Sequence, residues 1–264
     1  MEWITSEAGI RLTGFVGILV VMAALQAAFP RRHLRLGYRR WSGNLGLVVV
    51  DAVILRLLLP AGAMGVALWA EQAGFGLFNR LDIGATGTLI ASLLLLDMII
   101  YWQHRMFHAV PLLWRLHRVH HADQEIDVST GLRFHPLEIL LSMLIKMGAV
   151  ALLGVPALAV LAFEVLLNGM AMFNHSNLRL PPGLDGLMRR LIVTPDMHRV
   201  HHSVLARETN SNYGFNLSLW DRLFGSYVPQ PEKGHDAMTI GLPPYQSGRP
   251  DTLRDLLAIP FRRT

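Results

Sequence analysis

Four long apolar stretches divide this chain, and stretches of that length restrict it to a membrane-embedded helical architecture. The first covers residues 10–29 and is broken only by Arg11. The second covers 45–70, holds Asp51 and Arg56, and carries Pro60 as an expected kink. The third covers 84–102. The fourth, 137–173, is too long for one crossing, since a span needs about 20 residues. Gly154-Val155-Pro156 cuts it near the middle, so it reads as a hairpin of two short spans or as a pair that dips in without crossing. Composition agrees: charged residues are 16% of the chain against about 25% in soluble domains. The N-terminus lacks the basic start of a signal peptide, so the first stretch reads as a retained span. The expected fold is all-α, an integral membrane helical bundle of about four to five membrane segments with a cytoplasmic histidine-rich helical cap.

Orientation follows from the loops. "RRHLRLGYRR" after the first stretch holds five arginines in ten residues and is expected in the cytoplasm. The third span then returns to the cytoplasm at "YWQHRMFH", and the chain stays there from Asn174 onward. On that topology every histidine except His33 and His235 lies at or beyond the cytoplasmic end of a span. The net charge of +5 is accounted for by such loops and by contact with anionic lipid, without a nucleic-acid partner. The terminal "RPDTLRDLLAIPFRRT" reads as a short amphipathic helix, either lying on the anionic leaflet or capping the core. Three regions are expected: 1–90 as N-terminal membrane segments, 91–227 as the catalytic region, and 228–264 as a cytoplasmic tail.

The histidines carry the chemistry. His104 and His108 stand four apart at the end of the third span and share a helix face. "HRVHH" occurs twice, placing His117, His120 and His121, then His198, His201 and His202, at i, i+3, i+4. His175 follows the last apolar stretch and His135 lies in "RFHPLE". A lone interfacial histidine is usually a polar anchor, but this set points to one shared metal site. Ten imidazoles exceed what one ion takes, so two ions fit. All-nitrogen ligation suits iron, zinc, copper or nickel, and zero cysteines exclude thiolate and iron–sulfur sites. Redox iron gives open positions a purpose. Asp97, Asp123, Glu138, Asp196 and Glu208 are candidates to orient the rings from behind, and Arg118 and Arg199 to pair with Asp123 or Asp196. Gly148, Ala149, Ala151 and Gly169 either leave room for a lipid or serve close helix packing.

"HRMFH", "HRVHH", "FHPLE", "NHSN", the second "HRVHH" and residues 212–227, "NYGFNLSLWDRLFGSY", occur in an order that resembles the fatty acid hydroxylase / sterol desaturase superfamily. The resemblance covers about residues 94–227. It implies an integral membrane non-haem di-iron enzyme with its histidines on the cytoplasmic side. Such enzymes use O2 and external electrons to hydroxylate or desaturate a lipid such as a sterol or fatty acyl chain. Carried over, His104 and His108 match the first box, His117, His120 and His121 the second, and His198, His201 and His202 the third. His175 matches the additional histidine. His135 belongs to the pattern too, as ligand or as support. No catalytic residue is expected beyond this metal site. The chain has no dinucleotide fingerprint and no haem-binding "HPGG", so its electrons are expected from a separate ferredoxin- or flavin-type reductase. Zinc is expected only as an expression artefact. Two other classes remain: a di-zinc membrane lipid hydrolase, and a metal transporter or sensor. Transport is disfavoured because its ligands would lie near mid-span.

Overall fold

The computed structural model describes residues 6–247 and 251–262. Helices dominate, and among the described residues there is no strand, only isolated bridges such as Ile192–Leu217 and Ser203–Ile240. The all-helical expectation holds. Five helical units are long and apolar enough to cross a membrane.

Local chemistry sets their ends. α1 (Glu7–Ala28) starts at Ser6, whose hydroxyl accepts the Gly9 amide at 3.1 Å, and it stops before Pro30. α2 (Trp41–Leu58) follows a 3-10 turn, Gly37–Arg40. Pro60 cannot donate to the helical ladder, so the second apolar stretch breaks there and resumes as α3 (Gly62–Gln72). α4 (Gly84–Ala109) runs seven residues past the apolar stretch that defines its span, carrying His104 and His108 beyond the apolar layer. Pro111 then starts α5 (Pro111–His121) at a position where its missing N–H costs nothing.

The fourth stretch is a hairpin of two 18-residue helices, α6 (Pro136–Leu153) and α7 (Ala157–Asn174). Gly154 ends α6 in the left-handed region at φ 67°, and Pro156 caps α7. This turn is closed by residues 76–78. Leu77 and Phe78 donate to the carbonyls of Leu152 and Leu153 at 3.0 and 2.7 Å. A Cβ at Gly76 would meet the Gly154 nitrogen at 2.3 Å, so only glycine allows this approach.

α1 lies along α7, α3 along α6 and α7, and α4 along α5, α6 and α7. Ala63, Ala67, Ala149 and Ala159 let the backbones approach around Leu96, Ile100, Val150 and Phe163. Ala149 and Gly169, whose Cβ would meet Ile18 at 3.0 Å, therefore serve packing. Outward residues such as Leu57 (74% exposed) and Leu152 (69%) remain apolar, as lipid contact requires.

One feature departs from the sequence reading, and one alternative is resolved. Arg40, counted among the loop arginines, is fully buried. It holds Asp123 and Asp127 at 2.5 Å each, and so ties the loop after α5 to the start of α2. Of the two readings of the terminal segment, core capping holds for its described part, the helix Leu253–Ala258 and the turn Ile259–Phe261. Leu256 and Ile259 are fully buried against Leu47, Val119 and Ala122. Arg249, Pro250, Arg263 and Thr264, also part of that reading, lie outside the described residues.

Candidate metal centre

Nine of the ten predicted histidines converge at one end of the bundle. His104 and His108 come from α4, and His117, His120 and His121 from α5. His175 ends α7. After the short helix α8 (Pro182–Met188), His198, His201 and His202 come from α9 (Pro195–His201) and its last cap. Thr194 fixes the start of α9 by accepting the Met197 amide, and Asn212 holds it from behind by donating to the Met197 carbonyl at 2.9 Å.

The nine form two groups, each with ring nitrogens within 4.8 Å of one another. One holds His104, His108, His117, His121 and His201; the other holds His120, His175, His198 and His202. Each pentapeptide is therefore split: α5 sends an i, i+4 pair to the first group and its odd histidine to the second, and α9 does the reverse. At about 100° of rotation per residue, three histidines at i, i+3, i+4 cover a sector wide enough for two neighbouring centres.

The Nε2 atoms approach one another closely. His104 and His117 Nε2 are 3.1 Å apart, His120 and His175 Nε2 3.0 Å, and His175 and His198 Nε2 2.9 Å. Two imidazole nitrogens bound about 2.1 Å from one ion at right angles stand ~3 Å apart, so these separations suit ligands of a common cation. Buried nitrogens without a partner fill both groups: His108 and His201 Nε2, both nitrogens of His121 and of His202, and Nδ1 of His120 and His198. The donor set fits imidazole-binding metals.

Several rings are held from behind through Nδ1, which leaves Nε2 pointing inward. His117 bonds Glu138 Oε1 at 2.6 Å. His104 bonds the Tyr213 carbonyl at 2.8 Å, His201 the Ser211 carbonyl at 2.7 Å, and His175 the Ala171 carbonyl at 2.7 Å. Of the five candidate carboxylates, Glu138 alone bonds a clustered histidine. Asp123 serves Arg40 and Arg133, Glu208 accepts the Glu232 amide, and Asp196 faces Arg31, Arg199 and His235. Asp97 acts one step back, accepting from Leu217 and the Trp220 indole and so fixing the segment that carries the Tyr213 carbonyl. That carbonyl role is invisible in a side-chain reading, because any residue supplies a carbonyl. Arg199 meets Asp196 as expected at 3.5 Å, whereas Arg118 donates to the carbonyls of Ile259 and Arg262.

His135 is not brought to either group. Its Nδ1 accepts the Leu137 amide at 3.2 Å, starting α6, and its Nε2 faces the Leu257 carbonyl at 3.3 Å.

Burial keeps the cluster neutral. It pulls His117 and His175 down to about 3, and lowers His120, His121, His198, His201 and His202 well below 6.5, with mutual repulsion adding to the effect in those five. Folded pKa values below the unfolded value mean that the unfolded chain takes up protons first. Stability of the metal-free protein should therefore hold above about pH 6.5 and fall as pH drops towards 3, by up to about 1.4 kcal/mol per pH unit per group. Melting temperature against pH for chelator-treated protein tests this; a flat profile between pH 7 and 4 would contradict it.

A cavity of about 360 Å³ reaches the first group from within the bundle. His104, His117 and Glu138 form one end; Phe15, Ile100, Phe107, Leu132, Phe134 and Phe215 line its apolar walls.

Residues 89–226, just over half of the chain, match the family described as fatty acid hydroxylase. The chain belongs to the fatty acid hydroxylase family. The matched segment holds all nine clustered histidines. The chain is 31% identical over 143 residues to the ornithine lipid hydroxylase OlsE of Rhizobium tropici, covering 54% of this chain and 42% of that protein. Alkylglycerol monooxygenase of Xenopus tropicalis is 33% identical over 134 residues, 50% of this chain and 29% of the relative. The human alkylglycerol monooxygenase is 32% identical over 160 residues, 60% and 34% respectively. The match thus spans less than half the length of each of these relatives. No solved structure gives a significant match.

Proposed function

We propose that this fatty acid hydroxylase family member is a multi-pass membrane oxygenase that hydroxylates a lipid, its nine clustered histidines holding two iron ions. The convergence of two groups of neutral imidazoles, the first at the end of a cavity inside the bundle, carries the reading. The named activities of the relatives, a lipid hydroxylase and monooxygenases, favour hydroxylation over desaturation. Iron, when bound, supplies the activation of O2 needed to oxidise an unactivated C–H bond. The overall balance is one C–H bond and O2, with two electrons and two protons, giving an alcohol and water. A separate ferredoxin- or flavin-type donor provides the electrons. In this reading the site faces the cytoplasm, the side on which an arginine-rich loop is expected.

The chain's own residues set the geometry. Glu138 accepts the His117 Nδ1 proton and keeps Nε2 free as a ligand. The carbonyls of Tyr213 and Ser211 do the same for His104 and His201. Phe107, Phe134 and Phe215 exclude water and hold an alkyl segment beside His104 and His117. His135 supports α6 in this reading and is not a ligand.

Glu138→Ala is expected to weaken metal retention by ~10–100-fold. Glu138→Gln, which keeps an acceptor oxygen, should lose less. Metal content after chelator challenge measures both. The function itself is tested on anaerobically purified protein given host lipids, an electron supply and labelled O2. Two irons per chain and a lipid gaining one labelled oxygen atom are expected. Tight zinc with lipid hydrolysis and no O2-dependent turnover would replace this reading with a di-zinc hydrolase.

A further inference from the structure

A second cavity, of about 520 Å³, is lined by Arg199 of α9 and by residues 32–36, 124–126 and 236–240. Its walls are tied together by the backbone. Asn177 bonds both the amide and the carbonyl of Arg32, at 3.1 and 2.7 Å. Glu125 takes the Arg35 and Leu36 amides. The far wall is joined to α9 and the loop after it, because Gly241 donates to the His202 carbonyl and Val204 to the Thr239 carbonyl, both at 3.0 Å.

Its charges do not balance. Arg32, Arg35 and Arg199 line it, against Glu125 and Asp236. Both acids are engaged elsewhere: Asp236 by Arg31 at 2.6 Å, and Glu125 by the two amides and by Arg40. The guanidinium groups of Arg32 and Arg35 make no hydrogen bond among the described residues. Arg199 is fully buried; Asp196 stands 3.5 Å from its Nε, yet its Nη1 has no partner. A buried guanidinium group with an unused donor is costly, and Arg199 borders a cavity that Arg32 and Arg35 also line.

We propose that this cavity binds a phosphate-bearing ligand through Arg32, Arg35 and Arg199. The headgroup of an anionic phospholipid is the favoured source. α1 ends at Ala28, so Arg32 and Arg35 begin just beyond the end of a membrane-length helix, at the depth of lipid phosphates. A soluble phosphate offers the same chemistry. The site is independent of the iron reading, because no clustered histidine lines it.

The test uses the full-length chain in neutral detergent and in phosphatidylcholine nanodiscs with or without phosphatidylglycerol. Native mass spectrometry reads retained lipid, and thermal shift reads inorganic phosphate. R32Q/R35Q, which alters neither a histidine nor a residue bonded to one, is the main variant, with R32K/R35K as the charge-preserving control. Phosphatidylglycerol retention is expected to fall at least tenfold in R32Q/R35Q and to be largely kept in R32K/R35K, with metal content unchanged in both. Binding of inorganic phosphate but not phosphatidylglycerol, lost in the same variant, keeps the anion site and overturns the lipid source. Equal retention by wild type and R32Q/R35Q, or no binding of either probe to wild type, overturns the proposal.

Discussion

Alanine at His201 and alanine at His202 are expected to empty different metal positions, although the two residues are neighbours. His201 belongs with His104, His108, His117 and His121; His202 belongs with His120, His175 and His198. The same division separates His121 from His120 on α5. H201A and H121A should therefore form one class of variant, and H202A and H120A the other. If the wild type holds the two irons proposed, each class is expected to retain about one per chain and to lose at least ~100-fold in turnover, since even residues behind a ligand are worth 10–100-fold. Iron quantification with Mössbauer spectra of the labelled protein distinguishes the classes by which signal disappears. If H201A and H202A lost the same signal, the two-group division would be wrong, even with the nine ligands correct.

The second large effect is on stability. Glu164 on α7 holds both Lys146 of α6 and Arg11 of α1, inside the apolar layer. Lys146 and Glu164 each lie seven residues from the turn between their helices, about 10 Å along the axis, and with Arg11 they line the bundle cavity. Glu164→Gln would leave two cations facing one another without their shared carboxylate. Removing one partner of a buried ion pair costs about 3–5 kcal/mol, because the remaining charge loses its compensation. That corresponds to a fall in melting temperature of roughly 10 °C. Replacing the pair together, as Lys146→Met with Glu164→Leu, should recover most of the loss, because Arg11 keeps Glu7 at 2.9 Å. Thermal unfolding in detergent measures both variants. A Glu164→Gln protein as stable as wild type would show the triad to be solvated.

Much of the site was legible because its signal is local. A histidine is scarce and chemically committed, and spacings of three and four on a helix bring side chains to one side whatever surrounds them. The breaks at Pro60 and at Gly154–Pro156 were legible for a similar reason: they follow from the backbone chemistry of single residues. Charges were harder. Asp123, Asp196 and Glu138 look alike in sequence, and only the packing of α6 beside α5 gives Glu138 to His117, while Asp123 goes to Arg40 across 83 positions. Arg40 misled for the same reason: its composition-level role as a loop cation is overridden by burial. The terminal segment was ambiguous because an amphipathic helix has the same pattern whether its apolar face meets lipid or Leu47 and Val119.

The sequence by itself determined that the chain builds apolar helices with imidazoles at their ends, and it named the family through the order of those imidazoles. Only the tertiary structure decided how the imidazoles divide. A pentapeptide specifies angles around one helix axis; which centre each angle meets depends on where α4, α7 and α9 stand around α5. The packing of alanine-rich faces and buried ion pairs far along the chain fixes those positions.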